Sequence, residues 1–283
     1  MKPTEPAIGA PCWAELGTTD VPGSGEFYSA LFGWTVSTGS HSDTGGYTLA
    51  WLQDLYVASM APLYAPGQPI AWTVSFAVLD AEVTAARAAE KGGRVLMAPT
   101  DIFDSGRFAV LRDPTGAMFS IWQPRTFPGF GLWDEPGAAC WAELATRDVP
   151  TATAFYQELL GWSISGDPSY PHLSAGDRQF GGIQNMNATG VPEAVTPHWL
   201  LYFKVQDTAA KAAQAVELGA QLLAGPFHLP GTGYFATLRD PRGAVFALYQ
   251  GRGRVRNFGD QAKPPRKGDP GRNPALPNER KAV

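Results

Sequence analysis

The chain has 283 residues, of which 44% are hydrophobic, and a formal net charge of −4, which is enough length for two domains with their own cores. Its basic residues gather mainly near the C-terminus, so the remainder offers no long positive face for a nucleic acid. No stretch approaches the ~20 apolar residues of a membrane-spanning helix, and the N-terminal segment lacks an apolar signal core. We therefore expect a soluble, cytoplasmic protein that binds neither nucleic acid nor membranes.

A tandem repeat organises the chain. The pentapeptide CWAEL occurs at residues 12–16 and again at 140–144, and the matches continue at an offset of 128 and then 127 residues. Its cysteines, Cys12 and Cys140, are expected to be buried free thiols in separate cores, which suits a reducing compartment. The expected organisation is a first domain at 8–125, a Pro- and Gly-rich linker at 126–135, a second domain at 136–252 and a disordered basic tail at 253–283.

Each copy begins with a predicted strand and helix. The apolar and polar residues alternate over 12–16, which is typical of a strand. A capping Asp20, apolar residues at helical spacing and a terminating Gly33 then predict a helix. Two extended runs, at 47–52 and 55–60, follow as strands separated by a polar turn.

The same pattern restarts within the copy. A strand is predicted at 72–78, a glycine-terminated helix at 80–93, and a hairpin at 106–123 that turns at the sequence DPTG. Each copy is therefore two successive βαβββ units, which makes four units in the chain.

Two motifs carry a family resemblance. The pattern TxDVxxxxxFYxxLxGW follows the first strand, and LRDPxGAxFxxxQ forms the late hairpin, in both copies. This pairing resembles the vicinal oxygen chelate superfamily, which contains glyoxalase I, extradiol dioxygenases, fosfomycin-resistance enzymes and bleomycin-binding proteins. The resemblance implies an α+β fold with two tandem glyoxalase-like domains, each made of two βαβββ units whose mixed sheets curl around a cleft.

The resemblance also implies positions for a divalent metal, which family members hold with His, Gln or Glu on their first and last strands. Transition metals need imidazole, carboxylate or thiolate ligands at converging positions, and the corresponding residues here do not supply them. We therefore expect no metal site and no cofactor. The positions are Trp13 and Trp141 on the first strands, Thr73 and Leu200 on the strands that open the second units, and Ser120 and Ala247 on the last strands.

Three residues are candidates for acid–base chemistry. Strand alternation directs Glu15 and Glu143 into the clefts, where desolvation can raise the pKa of a carboxyl group and make it a general acid or base. The alternative is that each carboxylate accepts structural hydrogen bonds or pairs with an arginine. His198 opens a strand in the second copy only, where it could be catalytic, at the surface or hydrogen-bonded in a structural role.

Aromatic residues supply a second signal. Rings around a concavity can hold a planar apolar ligand, although the same rings could instead fill the cleft or an interface between the domains. Trp51 is a further possible member of this set. The predicted ligand-binding residues are Trp13, Trp122, Trp141, Tyr202, Tyr249 and Ser120.

These observations lead to a ranked set of functions. The first is a metal-free small-molecule binding protein that holds an apolar or aromatic ligand, similar to the sequestering resistance proteins. The alternative is a cofactor-free lyase, isomerase or cyclase that acts on an aromatic or polyketide-like metabolite. A metal-dependent lyase or dioxygenase activity follows only from the family's labels. The expected partner is a small molecule, and the expected state is a monomer with an internal pseudo-dimer or a weak homodimer.

Overall fold

The computed structural model of the protein describes residues 6–38 and 45–251. The tail predicted at 253–283 therefore lies outside the described residues. Within them, the elements follow the predicted order twice. The first copy contains β1 (Pro11–Thr18), α1 (Val21–Phe32), β2 (Thr35–Thr38), β3 (Thr48–Leu52), β4 (Leu55–Pro62), β5 (Ala71–Ala77), α2 (Ala81–Glu90), β6 (Arg94–Ile102), β7 (Gly106–Arg112) and β8 (Met118–Pro124).

The second copy repeats this series. It contains β9 (Ala139–Thr146), α3 (Val149–Leu160), β10 (Ser163–Ser165), β11 (His172–Ala175), β12 (Arg178–Asn185), β13 (His198–Lys204), α4 (Thr208–Glu217), β14 (Gln221–Leu229), β15 (Gly233–Arg239) and β16 (Val245–Gly251). None of the helices in the described part of the chain combines the length and the apolar character needed to cross a membrane. Both cysteines, Cys12 and Cys140, are buried free thiols, as predicted.

Each copy forms one eight-stranded mixed sheet. The strand order is β2-β3-β4-β1-β5-β8-β7-β6 in the first sheet and β10-β11-β12-β9-β13-β16-β15-β14 in the second. β1 runs parallel to β4 and antiparallel to β5, and β5 runs parallel to β8. Two βαβββ units therefore join at the central strands of each sheet, which confirms the predicted fold.

The first helix of each copy starts and stops where the sequence predicts. The Asp20 side chain accepts a hydrogen bond from the Gly23 N–H at 3.0 Å, which satisfies a donor at the start of α1. The helix ends at Gly33, whose φ of 77° is left-handed and favours glycine. Asp148 and Gly161 do the same for α3.

Two aromatic clusters join the inner faces of the sheets, and the first is built around Tyr28. Its ring packs against Phe203 and Phe246 of the other copy, with ring centroids 6.4 and 5.6 Å away. The Tyr28 hydroxyl donates to Asp240 Oδ2 at 2.9 Å and accepts from Trp72 Nε1 at 2.9 Å. A buried side chain of the first copy is thus part of the core of the second.

The second cluster is the reciprocal of the first and is built around Tyr156. Its ring packs against Phe76 and Phe119 of the first copy. The Tyr156 hydroxyl donates to Asp113 Oδ2 at 3.0 Å and accepts from Trp199 Nε1 at 3.0 Å. The two copies therefore share their cores through a pseudo-twofold pair of contacts.

Candidate functional site

The outer face of the first sheet, which we call the first cleft, is positioned by three strands. Trp13 pairs with Ser75 and Glu15 pairs with Thr73 across β1 and β5, and Ser75 lies beside Ser120 on β8. Residues that face each other across neighbouring strands point to the same side of a sheet. Ser75 and Ser120 are 3% and 0% exposed, so the chain itself closes most of this face.

The second cleft is the equivalent face of the second sheet. Trp141 pairs with Tyr202 across β9 and β13, and Tyr202 lies beside Ala247 on β16. Glu143 pairs with Leu200 in the next row. Tyr202 replaces the Ser75 of the first copy, which makes the second cleft more aromatic at its centre.

The residues at the family's metal-ligand positions do not fit a metal. The Trp13 indole donates to Ser59 Oγ at 2.9 Å and to the Tyr47 hydroxyl at 3.3 Å, and an indole N–H has no lone pair to offer a cation. The buried Ser120 hydroxyl has no hydrogen-bond partner among the described atoms, but it is a single neutral donor. Over residues 6–38 and 45–251 no group of three or more His, Cys, Asp or Glu side chains could hold a metal ion.

Glu143 is the central polar residue of the second cleft. It is 6% exposed, and its two carboxylate oxygens accept from the Tyr170 hydroxyl at 2.5 Å and the Tyr202 hydroxyl at 3.1 Å. The Trp141 indole donates in turn to the Tyr170 hydroxyl at 3.1 Å. Burial raises the pKa of Glu143, and the two phenol hydrogen bonds oppose that rise.

Glu15 occupies the same position in the first cleft. The Tyr64 hydroxyl donates to Glu15 Oε1 at 2.6 Å, and Tyr47 gives it a further hydrogen bond. Burial again raises the pKa of the carboxyl group, with both phenols acting in the opposite direction. Both glutamates thus accept hydrogen bonds from tyrosine hydroxyls, and among the described residues neither pairs with an arginine.

The segment after β8 closes the first cleft with an aromatic ring. Phe127 lies nearly perpendicular to Trp13, Tyr56 and Trp122, at centroid distances of 4.9, 5.3 and 6.2 Å. The Trp122 indole also donates to the Phe127 carbonyl oxygen at 2.9 Å. Trp13 and Trp122 are therefore only 6% and 7% exposed, which places these two predicted ligand-binding residues under the chain's own linker.

The second cleft is more open. Trp141, Tyr202 and Tyr249 are half-buried, and Phe235 lies among them, with its ring centroid 5.1 Å from Tyr249 and 6.2 Å from Tyr202. On the other side of Trp141, the His172 ring makes an edge contact at 5.8 Å. Trp141, Tyr170 and Tyr202 thus lie around Glu143, and Tyr249 joins this face through Phe235.

Two other predicted residues lie at the margins. His198 is on the cleft side of β13, opposite Ala145, and its Nδ1 is 2.8 Å from the Thr196 carbonyl oxygen in the same loop. This local hydrogen bond favours the interpretation that His198 has a hydrogen-bonded structural role. Trp51 is half-buried and packs against Tyr56 at a centroid distance of 5.4 Å, beside the ring cluster of the first cleft.

A separate surface depression of about 280 Å³ lies at the start of α4. Its lysines are already engaged: Lys204 Nζ bonds Asp134 at 2.9 Å, and Lys211 Nζ bonds the Leu31 carbonyl oxygen at 2.6 Å. Because these side chains hold the two copies and the linker together, we assign the candidate site to the second cleft.

Sequence reasoning missed several members of this site. Tyr170 lies in the loop before β11, and its ring occupies the space above Gly182, where a Cβ would lie 2.5 Å from it. His172 and Gly182 are in register with each other, and Gly182 is in register with Glu143. Alternation in β12 could have shown that a glycine next to Glu143 leaves room for a ring, but not which ring fills it.

Comparisons with known proteins agree with this architecture. A model of the glyoxalase/bleomycin resistance protein/dioxygenase superfamily matches residues 12–121, and a glyoxalase-like domain model matches residues 141–249. "Putative glyoxylase CFP32" of Mycobacterium tuberculosis is 38% identical over 256 residues, covering 87% of this chain and 97% of that protein. The anthracycline biosynthesis protein DnrV of Streptomyces peucetius is 37% identical over 265 residues, covering 86% and 94% respectively.

Solved structures share the fold at low sequence identity. The 2,3-dioxygenase LapB from Pseudomonas sp. KL28 superimposes with a TM-score of 0.61 at 16% identity, covering 88% of this chain and 94% of that one. The Mn(II)-bound glyoxalase from Novosphingobium aromaticivorans gives 0.60 at 14% identity, covering 86% and 82%. With both copies matched and relatives of 37–38% identity aligned along almost their whole length, the chain belongs to the glyoxalase/bleomycin resistance protein/dioxygenase superfamily.

Proposed function

We propose that this protein binds a planar aromatic small molecule in its second cleft and does so without a metal. The observation that carries the proposal is the position of Phe127 in the first cleft, where three rings surround one aromatic ring edge-to-face. Such contacts contribute about 0.5–1.5 kcal/mol each beyond the burial of apolar area. The Phe127 ring in the first cleft therefore supports the proposal that the equivalent face of the second sheet can hold an aromatic ring.

The second cleft offers an equivalent site with a more polar base. Trp141 corresponds to Trp13 and is half-buried, whereas Trp13 is covered by the linker. Glu143 lies below it with two tyrosine hydroxyls as donors. A hydroxyl group on the rim of a ligand can replace one of these phenols as the donor to Glu143, which would orient the ligand. A planar ring with phenolic hydroxyls fits both features.

The relatives point to the same class of compound. Two of them, from Streptomyces, are described as anthracycline biosynthesis proteins and are 37% identical to this chain. That description concerns those proteins, but it supports a fused, hydroxylated aromatic ligand here. We propose sequestration of such a molecule by a cytoplasmic monomer that requires no cofactor and uses no nucleic acid or membrane partner.

A second candidate function is a cofactor-free lyase, isomerase or cyclase. It is favoured by the buried Glu143 carboxyl group, whose raised pKa and two phenol neighbours suit proton transfer to or from a bound molecule. In this reading Glu143 is the acid or base, and Tyr170 and Tyr202 stabilise its charged form. The chemistry requires the same ligand in the same cleft.

The test is a calorimetric titration with 1,8-dihydroxyanthraquinone, followed in parallel by tryptophan fluorescence. We expect one site, weakened at least tenfold by Tyr202→Ala and unchanged by Ser75→Ala, which is the equivalent position of the first copy. Equal weakening by both variants, or no binding at all, would contradict the assignment.

Mass spectrometry of the recovered ligand separates the two functions. An unchanged ligand after long incubation supports sequestration. A product that forms with the wild type but not with Glu143→Gln supports the cofactor-free enzyme instead.

A further inference from the structure

We infer that the second cleft continues outward into a subsite for the additional rings of a fused polycyclic ligand, with Phe227 as its specificity-determining residue. The inference rests on the proposed function, because it assumes that an aromatic ring occupies the inner cleft beside Trp141 and Glu143. Beyond the proposed function, the inference specifies how far the binding site extends and how large the ligand is. The residues concerned lie on β14, β15 and β16, at the edge of the second sheet.

The subsite is a ladder of three rings on neighbouring strands. Phe227 pairs with Phe235 across β14 and β15, and Phe235 pairs with Tyr249 across β15 and β16. Phe235 stacks on Tyr249 with an interplanar angle of 27° and a centroid distance of 5.1 Å, and Phe227 is tilted by 31° against Phe235 at 6.0 Å. Tyr202 meets Phe235 edge-to-face at 6.2 Å, so the ladder is continuous with the wall of the inner cleft.

The mutual orientation of the three rings determines which part of each ring the ladder offers to a ligand. Rings that stack on one another across strands use their faces for each other and align their edges along the sheet surface. Ring edges carry positive electrostatic potential and prefer the negative face of another aromatic system. A flat fused ligand lying across the ladder would therefore meet several edges at once, in the same perpendicular mode that holds Phe127 in the first cleft.

The first copy shows that the fold does not need this ladder. The residue equivalent to Phe227 is Thr100, which pairs with Phe108 in the same register, so the fold tolerates a small polar side chain at this exposed position. Phe227 is 52% exposed and contributes little to the core. A large exposed apolar side chain at an edge strand carries a risk of aggregation, and a ligand that covers the ring supplies a reason for its presence.

The subsite is also accessible along its length. All nine residues of β14 are exposed, whereas the residues of β6 in the first copy alternate between exposed and half-buried up to Thr100. Leu229, on the cleft side of β14 opposite Gly233, is 52% exposed as well. The outer edge of the second cleft thus offers apolar surface beyond the single ring that the inner cleft holds.

The experiment measures affinity against ligand length by calorimetry, using a dihydroxynaphthalene, 1,8-dihydroxyanthraquinone and a hydroxylated tetracenequinone. In the wild type we expect affinity to rise with the number of fused rings. Phe227→Ala should weaken binding of the three- and four-ring probes about three- to tenfold and change that of the two-ring probe less than twofold. Tyr234→Ala is the matched control, because Tyr234 is 45% exposed on the opposite face of the same hairpin.

The outcomes separate the two proposals. Selective loss for the longer probes in Phe227→Ala, absent in Tyr234→Ala, supports the subsite. If Phe227→Ala affects all three probes equally or none of them, the subsite is refuted while the inner site stands. If no probe binds the wild-type protein, both the proposed function and the subsite fail. Thermal unfolding of both variants at the wild-type Tm establishes that any loss concerns binding, since both side chains are exposed.

Discussion

Removing one hydroxyl from the contact between the two copies should destabilise the whole protein. In Tyr28→Phe the ring and its packing remain, but Asp240 Oδ2 loses its donor at 2.9 Å and Trp72 Nε1 loses its acceptor at 2.9 Å. Tyr28 is 0% exposed, and Trp72 and Asp240 are each 4% exposed, so water cannot readily replace the hydroxyl. A buried polar group left without a partner costs about 1–3 kcal/mol, and two such groups give an expected loss of about 2–6 kcal/mol.

The measurement is urea denaturation at neutral pH, with near-ultraviolet circular dichroism to follow the aromatic cores. Tyr156→Phe should cost a similar amount, because its partners Asp113 and Trp199 repeat the arrangement. Tyr56→Phe, whose residue is 36% exposed, is the control and should stay within about 0.5 kcal/mol of the wild type. A loss below about 1 kcal/mol for both buried tyrosines, or the same loss for Tyr56→Phe, would refute the view that these hydroxyls hold the copies together.

Three further predictions concern the clefts. Burial raises the pKa of Glu143 in the native state, so the folded protein keeps the Glu143 proton to higher pH than the unfolded chain does. The contribution of Glu143 to stability is therefore full below its ordinary pKa, and it is lost as pH rises through the raised pKa. Glu143→Gln should remove that dependence, and urea denaturation of variant and wild type from pH 4.5 to 8 should show the variant gaining relative stability as pH rises; a constant difference would contradict it. Phe127→Ala should lower the free energy of unfolding by about 2 kcal/mol, which is less than the cost of removing a fully buried Phe because the Phe127 ring is half-buried. It should also open the first cleft to a one-ring ligand such as phenol, seen as a saturable thermal shift that the wild type lacks. Gly182→Ala places a Cβ 2.5–2.7 Å from the Tyr170 ring, so it should displace that ring and weaken anthraquinone binding, whereas Gly176→Ala, in an open turn, should leave affinity unchanged.

Much of the fold was predictable because the same sequence motifs occur in both copies of the tandem repeat. A motif such as a capping Asp20 with a terminating Gly33 is modest evidence alone, but its recurrence as Asp148 and Gly161 shows that the same local physics acts in both copies. The predicted order of strands and helices is accordingly found in the structure. The sharing of cores was not predictable, because alternation tells which residues are buried but not which sheet covers them.

The candidate site was predictable only in part, for a related reason. Strand alternation places Trp141 and Glu143 on one face of β9, and Tyr202 on the neighbouring strand pairs directly with Trp141. Tyr170 reaches that face from a loop, and its position depends on the space above Gly182. The Tyr170 ring, which precedes β11, fits above Gly182 on β12 because glycine has no side chain. This contact forms only in the folded protein, so the local sequence pattern does not predict it.

The two faces of each sheet differ in what they contact. The inner faces carry the reciprocal contacts of Tyr28 and Tyr156, which are nearly identical in partner type and distance, because each copy needs the other to bury its core. The outer faces bear no such reciprocal constraint, so their side chains could diverge at little cost in stability. The ring of Phe127 packs on the outer face of the first sheet, whereas on the second sheet Phe227 packs against Phe235 at the position held by Thr100 in the first copy. Side chains of the shared cores differ as well, because Phe32 packs against Phe203 where the second copy has Leu160. The proposed binding site therefore rests on the contacts of the second cleft and not on the asymmetry by itself.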